Sequence, residues 1–285
     1  MTLRHAACAL GALGLVPACS LLVQTDGLSG RAEPGDAADG GGATVVEGSA
    51  GEGSAGEGGA ADGSDGSGGS GDCPAPETGL LAYYRFDETA GSVAKDCSGN
   101  GRDGTIVSPA WTSGKHGGAL VLDGAATCMT IAGSQQVAAS GPFTVTVFAS
   151  VTAFAVGSIA GYIFAKTNKV PDARSWRFGS DTTSNYSLRI GAASGATQIA
   201  TPDGQASNTW VHVTAVFDPG KRMELWVDGA RLSNATTPPV DLVDDPTAPL
   251  RVGCLVTSNY FKGKLDELRL YGRALQATEI QQLAR

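Results

Sequence analysis

The glycine-broken segment FDETAGSVAKDCSGNGRDGT is the chemically richest part of the chain. Asp87, Asp96 and Asn100 offer carboxylate and amide oxygens within it, and the glycines allow backbone carbonyls to turn inward beside them. Hard oxygen ligands of this kind suit Ca²⁺, although the spacing matches no EF-hand. We therefore predict a structural calcium site on these three residues, with Glu88 and Asp103 as weaker ligands.

A further carboxylate, Asp266, lies in the β-like run LDELRL near the C-terminal end. Strand alternation predicts that Asp266 shares a face with Leu268 and Leu270, which is the expected core face. A buried carboxylate is unfavourable unless another group partners it. The pattern therefore predicts a specific partner for Asp266.

Catalytic groups find little support in the sequence. Asp266 and Glu267 are adjacent in one predicted strand, so their side chains point to opposite faces and cannot act as a pair. His116 lies in a glycine-rich turn, and His212 lies inside the strand-like run WVHVTAVF, where a packed side chain is expected. The chain has neither a Gly-x-Ser-x-Gly elbow nor a phosphate-binding glycine loop. We expect no enzymatic activity.

Many short β-rich runs position these residues between 73 and 285. Gly, Asn, Asp and Pro separate the runs at regular intervals, which is typical of an antiparallel sandwich rather than of alternating strands and helices. Asp228 and Gly229, between two such runs, predict a tight hairpin turn. Residues 274–284 alone look helical, with a partial apolar face. The region is long enough for one two-sheet domain.

Five segments of this region follow one another in a fixed order. They are YYRFDETAGSVAKDCSGNGRDGT, SGKHGGALVLDG, FTVTVFASV, WVHVTAVFDPGKRMELWVDGARL and FKGKLDELRLYGRALQATEIQQL. Together they resemble the laminin-G-like, concanavalin-A-like jelly-roll family, and the resemblance spans nearly all of 73–285. It implies an all-β, antiparallel two-sheet jelly-roll sandwich with a short C-terminal helix. That fold is a binding and adhesion scaffold more often than an enzyme.

The resemblance also bears on Asp266. In the family the SGNG loop lies near the returning terminal strand and often holds a structural calcium. Asp266 would then either ligate that ion with Asp87, Asp96 and Asn100, or cap the backbone N–H groups of residues 98–101. Hydrolases of this family carry their catalytic carboxylates as Glu-x-Asp-x-Glu, a spacing that this chain lacks.

Aromatic side chains in or beside loop-like segments are candidates for stacking on sugar rings. These are Trp111, Tyr162, Trp176, Tyr186 and Tyr260. The segment whose composition is best suited to sugar binding is 169–187. Its weak ligand-binding candidates are Trp176, Arg177 and Tyr186. Two functions stay open: a lectin-like module for glycans or a polysaccharide matrix, and a protein-adhesion or structural module without a small ligand.

The N-terminal region predicts export. Residues 1–18 contain a short apolar run typical of a signal peptide, and its end, VPAC, resembles the lipobox of bacterial lipoproteins. We therefore expect Cys19 to be acylated and to anchor the protein to the cell or outer membrane; ordinary secretion is the alternative. Within 19–72, residues 32–72 lack Lys, Arg, Leu, Ile and aromatic residues, which predicts a disordered tether at the cell envelope.

Four cysteines remain beyond the signal peptide and the lipidation site. They are Cys73, Cys97, Cys128 and Cys254. An even number in an exported protein predicts two disulfides, and three pairings are possible.

The net charge of −8 is misleading as a guide to partners. Ten of the 28 acids precede Cys73, so the region from that residue onward has 18 acids against 18 bases. A neutral domain offers no broad basic surface for phosphate backbones, and we expect no nucleic-acid binding.

Overall fold

The computed structural model describes residues 73–131, 133–134, 141–156, 159–167, 176–193, 195–242, 245 and 247–285. The predicted signal peptide, Cys19 and the predicted tether lie outside the described residues. The strands are β1 (Leu80–Tyr84), β2 (Val93–Ala94), β3 (Gly104–Val107), β4 (Trp111–Ser113), β5 (Gly118–Asp123), β6 (Cys128–Ile131), β7 (Phe143–Ala153), β8 (Ala155–Val156), β9 (Ile159–Ala160), β10 (Tyr162–Lys166), β11 (Trp176–Ser180), β12 (Tyr186–Ala192), β13 (Gly195–Ala200), β14 (Trp210–Asp218), β15 (Arg222–Val227), β16 (Ala230–Ala235), β17 (Leu250–Val252) and β18 (Lys262–Tyr271). One helix, α1 (Ala277–Leu283), follows them.

Two large antiparallel sheets form a sandwich. The first has the order β16-β15-β14-β7-β18-β5-β4, with β1 also paired to β18, and the second has the order β13-β12-β11-β10-β17-β6-β3-β2. Strands β8 and β9 form a separate hairpin. The predicted all-β, two-sheet fold class with a short C-terminal helix is therefore confirmed. No helix in the described part of the chain is long and apolar enough to cross a membrane.

Strand β7 shows how the sequence produces this sandwich. It lies between β14 and β18, and its sequence FTVTVFASV alternates. Phe143, Val145 and Val147 face the core between the sheets. The intervening Thr144 and Thr146 lie on the outer face, although they are buried as well. The alternation predicted from sequence thus decides which side chains form the core.

Strand β18 departs from simple alternation. Leu265, Leu268 and Leu270 all belong to the core cluster, although the first two are three residues apart. A register irregularity between Asp266 and Arg269, with a positive φ of 53° at Glu267, accommodates this spacing as a β-bulge. Asp266 therefore points to the outer face, opposite to Leu268 and Leu270, and the face predicted for it was wrong.

The outer face of the first sheet is partly covered by α1. Ile280 of the helix packs in a second apolar cluster with Val216, Trp226, Tyr271 and Leu275. Gln276 and Glu279 form a capping box at the start of the helix. The helix occupies a shorter range than the predicted 274–284.

Turn and cysteine predictions are also confirmed. Asp228 and Gly229 both have positive φ, as a tight hairpin between β15 and β16 requires. The disulfides join Cys73 to Cys97 and Cys128 to Cys254, with Cα atoms 5.1 and 5.5 Å apart. The structure thereby selects one of the three pairings.

Candidate ligand-binding cleft

A cleft of about 540 Å³ lies between the loop that follows β1 and the β4–β5 hairpin. Its lining residues are Asp87, Glu88, Thr89, Trp111, Thr112, Ser113, Gly117 and Gly118. We call this site the Trp111 cleft. It combines an aromatic ring, two carboxylates and three hydroxyl groups, which is a chemistry suited to polyhydroxylated ligands.

The wall formed by the β4–β5 hairpin is held from two sides. The backbone N–H of Gly118 donates to Asp87 Oδ1 at 2.7 Å, and the backbone N–H of His116 donates to Asp266 Oδ2 at 2.7 Å. Close approach requires glycine at 118, because a Cβ there would lie 2.4 Å from the carbonyl oxygen of Phe86. The glycine-rich SGKHGG sequence thus lets the turn pack against both carboxylates.

Trp111 of β4 and Glu88 of the loop after β1 are each held by a hydrogen bond. The half-buried Trp111 ring is fixed by a hydrogen bond of 3.1 Å from Nε1 to the carbonyl oxygen of Gly91. Glu88 Oε1 accepts a hydrogen bond of 2.7 Å from the backbone N–H of Lys95, whereas its Oε2 has no partner among the described residues. Both side chains are therefore oriented before any ligand arrives.

Asp96 is the capping residue of the SGNG loop. Its Oδ1 accepts hydrogen bonds from the backbone N–H groups of Tyr83 and Ser98, at 3.0 and 2.9 Å. Its Oδ2 accepts from the Ser98 hydroxyl at 2.8 Å and from the backbone N–H of Arg102 at 2.9 Å. Amide capping of this loop, one of the two alternatives, is therefore present, but Asp96 supplies it instead of Asp266.

The four candidate calcium ligands fall into two places. Asp87 and Asp266 hold the β4–β5 hairpin, whereas Asp96 and Asn100 lie at the SGNG loop, where Asn100 Nδ2 donates to the carbonyl oxygen of Leu80 at 3.0 Å. Among the described residues no three His, Cys, Asp or Glu side chains gather as a metal site. The arrangement of these side chains does not allow a single ion to be bound by all four residues. Calcium binding stays a prediction from the sequence.

Asp266 has an unusual environment. Its side chain is fully buried, and its Oδ1 has no hydrogen-bond partner within the described residues. Burial, with a smaller contribution from the nearby charge of Glu267, raises the pKa of this carboxyl to about 7, against the hydrogen bonds from the His116 and Lys115 backbone. The backbone that Asp266 caps is therefore that of the β4–β5 hairpin, and not that of residues 98–101 as one alternative predicted.

His212 is a packed strand residue, as its sequence context predicts. It is 2% exposed, its Nε2 lies 2.5 Å from the Thr146 hydroxyl, and its ring packs against Phe148. Burial, with a smaller contribution from the positive charge of Arg269, lowers the pKa of His212 to about 3. The imidazole is therefore neutral and enclosed at physiological pH.

Two of the three weak ligand candidates are corrected by the structure. Trp176 and Tyr186 are 1% and 0% exposed and belong to the core cluster, so neither ring can stack on a ligand. Arg177 lies on the outer face of the second sheet, directly opposite Arg189 on the next strand. Sequence reasoning did not single out Arg189, although the alternation in YSLRIG places it outside.

Comparison with known proteins agrees with this architecture. Residues 123–281 match the family model of the concanavalin A-like lectin/glucanases superfamily. The chain belongs to this superfamily. A search of curated proteins found no match.

Several solved structures share the fold of this superfamily member. Domain 4 of AbnA, an extracellular arabinanase from Geobacillus stearothermophilus solved with arabinotriose, matches with a TM-score of 0.58 and 22% identity, over 72% of this chain and 98% of that domain. The binding domain of Paraclostridial Mosquitocidal Protein 1 matches with a TM-score of 0.59 and 17% identity, over 72% of this chain. The binding domain of botulinum neurotoxin serotype G gives 0.56 and 13%, also over 72%. The chain spans about half the length of the two toxin domains, 52% and 50%.

Proposed function

We propose that this protein is a non-catalytic, surface-tethered binding module that recognises carbohydrate in the Trp111 cleft. The observation that carries the proposal is the fixed indole of Trp111 beside Glu88, Asp87 and the cleft hydroxyls. An aromatic face takes the apolar side of a sugar ring, while carboxylates accept hydrogen bonds from its hydroxyl groups. Superfamily membership supports the same function, and the AbnA domain, which shares this fold, was solved with arabinotriose.

Binding of the full chain to a glycan array, with calcium and with chelator, tests the proposal. Trp111→Ala should lose binding, and Glu88→Gln should weaken it while keeping an acceptor for the Lys95 backbone. Tyr260→Ala, which changes a partly exposed aromatic residue outside the cleft, should bind as the wild type does. If the wild type binds no glycan on the array, this result would contradict the carbohydrate proposal and favour protein adhesion or a structural role.

The proposed location is the cell envelope, with Cys19 acylated. Support comes from the VPAC sequence that precedes a long glycine-rich, acidic stretch. Metabolic labelling with an alkyne fatty acid should mark the wild type and leave Cys19→Ala unlabelled in the soluble fraction. An unlabelled wild type would favour ordinary secretion.

A further inference from the structure

Three arginines lie in one row on the outer face of the second sheet. Arg177 of β11 is the Cα partner of Arg189 on β12 and, on its other side, of Ala165 on β10. Ala165 is in turn the partner of Arg251 on β17. Directly opposed residues in antiparallel strands point to the same face, so the three guanidinium stems emerge on one side. We call this set the arginine row.

The row lies on the outer surface because its neighbours along each strand fill the core. Trp176 and Phe178 flank Arg177, and both belong to the core cluster. Leu188 and Ile190 flank Arg189 in the same way. Alternation therefore turns both arginines away from the core.

Arg177 and Arg189 are an unfavourable pair by themselves. Like charges directly opposite one another destabilise a sheet. Within the described residues neither guanidinium forms an ion pair with a carboxylate, whereas each of Arg85, Arg222, Arg231, Arg269 and Arg273 does. Burial lowers the pKa of Arg177, and the charge of Arg189 lowers it further. The domain thus maintains two opposed positive charges without an internal anion in its described part.

Two guanidinium groups of the row, those of Arg177 and Arg251, are held by their surroundings. Arg177 lies over the ring of Tyr162, with its Cζ atom 5.3 Å from the ring centroid. Arg251 is anchored by a hydrogen bond of 2.7 Å from Nη1 to the carbonyl oxygen of Thr167. Held forks lose less conformational entropy on binding an anion than free side chains do. Two of the three guanidinium groups in the row are therefore preorganised.

We propose that the arginine row binds an acidic polysaccharide, one that carries uronate carboxylates or sulfate groups. Arginine forks match the geometry of both anions, and Arg177 with Arg189 can clamp one group between them. Arg251 lies two strands farther along, about 10 Å from Arg177 at the usual strand spacing, with the uncharged Ala165 between them.

Polar side chains continue the row at both ends. Gln198 is the partner of Arg189 at one end, and Thr130 and Thr105 follow Arg251 at the other. A face with spaced charges and hydroxyl-binding groups suits a regularly substituted sugar chain better than a peptide with varied side chains. The arginine row and the Trp111 cleft share no residue, so this inference does not depend on sugar binding in the cleft.

Binding of the full chain to dextran sulfate, which carries sulfate but no carboxylate, and to polygalacturonate, with neutral dextran as reference, tests the inference. Sulfate and carboxylate are distinguished by the two acidic polymers, and binding of either supports the proposal. Arg177→Gln/Arg189→Gln should weaken binding by about tenfold or more. Arg177→Lys/Arg189→Lys keeps the charge but loses the forks, and it should restore only part of the affinity.

Matched control variants distinguish binding at the arginine row from a general effect of net charge and from binding in the Trp111 cleft. Lys262→Gln/Lys264→Gln removes the same net charge from strand β18 of the first sheet and should bind as the wild type does, as should Trp111→Ala. The Arg177→Gln/Arg189→Gln protein should melt at or above the wild-type temperature, because a like-charge pair has been removed. Unchanged binding in that variant, an equal loss in the Lys262 and Lys264 control, or tighter binding of polyglutamate than of either polysaccharide would overturn the proposal.

Discussion

The carboxylate of Asp266 accepts a hydrogen bond of 2.7 Å from the backbone N–H of His116, 150 residues earlier in the chain. This contact joins the last strand of the first sheet to the hairpin that forms one wall of the Trp111 cleft. Asp266 reaches the hairpin because the bulge at Glu267 turns its side chain to the outer face. A buried, titratable group therefore supports the proposed binding site.

The first prediction concerns Asp266→Asn. The pKa of Asp266 is raised from 3.8 to about 7 in the folded protein, so between these values the folded state binds more protons than the unfolded state. The contribution of Asp266 to stability is therefore complete below about pH 4 and is lost as pH rises toward 7, by up to about 1.4 kcal/mol per pH unit. Asp266→Asn keeps an acceptor for His116 but does not titrate. Its stability relative to the wild type should increase from pH 4 to pH 7.

Urea unfolding at half-unit pH steps, in the presence of chelator, measures this difference. Asp218→Asn serves as the control, because Asp218 makes only a partly exposed ion pair with Lys221. A constant stability difference between Asp266→Asn and the wild type across this range would contradict the prediction.

The second prediction concerns His212→Gln and has the opposite sign. The pKa of His212 is lowered from 6.5 to about 3 on folding, so between these values the unfolded state binds more protons. Stability due to His212 is therefore lost as pH falls through this window. His212→Gln should be less stable than the wild type at pH 7, because contact with the Phe148 ring is lost, but it should lose less stability on acidification.

The same unfolding series checks this second prediction. Between about pH 4 and 6.5, the stability of the wild type should rise with pH through His212 and fall with pH through Asp266. Because these two effects oppose each other, its stability should be nearly constant in this range. The stability of His212→Gln should then fall as pH rises, because the effect of Asp266 is no longer opposed. The stability of Asp266→Asn should rise with pH, because only the effect of His212 is left. Parallel curves for all three proteins would show that neither group titrates as described.

Sequence alternation predicted the sandwich well but missed the bulge. In β7 every second residue faces the core, so the pattern and the structure agree. In β18 the core residues Leu265 and Leu268 are three positions apart, whereas side chains on one face of a regular strand are two positions apart. This spacing is the feature of the sequence that could have predicted the bulge. Adding one bulged residue reverses the faces on either side of it. The error for Asp266 follows directly.

Two ligand candidates that were chosen for the composition of their segment, Trp176 and Tyr186, were wrong. Trp176 precedes Arg177 and Phe178, and Tyr186 begins the alternating run YSLRI. Period-two alternation already predicts that the aromatic residues enter the core and that the arginines point outward. The Trp111 cleft, in contrast, depends on packing between segments distant in sequence, which a single sequence does not reveal.

The third prediction concerns the two disulfides. The Cys128–Cys254 bond closes a loop of 126 residues, whereas the Cys73–Cys97 bond closes one of 24. In the chain-entropy model the longer loop contributes about 5 kcal/mol and the shorter about 3 kcal/mol. Cys128→Ala/Cys254→Ala should therefore unfold at lower urea concentration than Cys73→Ala/Cys97→Ala. The reverse order would show that native contacts near Cys73 outweigh loop closure.

The last prediction tests Asp96 and calcium together. Asp96 accepts hydrogen bonds from three backbone N–H groups and one hydroxyl, so Asp96→Ala should destabilise the protein by about 4 kcal/mol, through buried donors left without partners. Asp218→Ala, at a partly exposed ion pair, should change stability by less than about 1 kcal/mol. Because these donors already occupy both oxygens of Asp96, we expect the wild type to melt at the same temperature in millimolar Ca²⁺ and in chelator. A higher melting temperature in Ca²⁺ that Asp96→Ala abolishes would instead support the calcium site predicted from the sequence, since an ion that binds only the folded form raises stability.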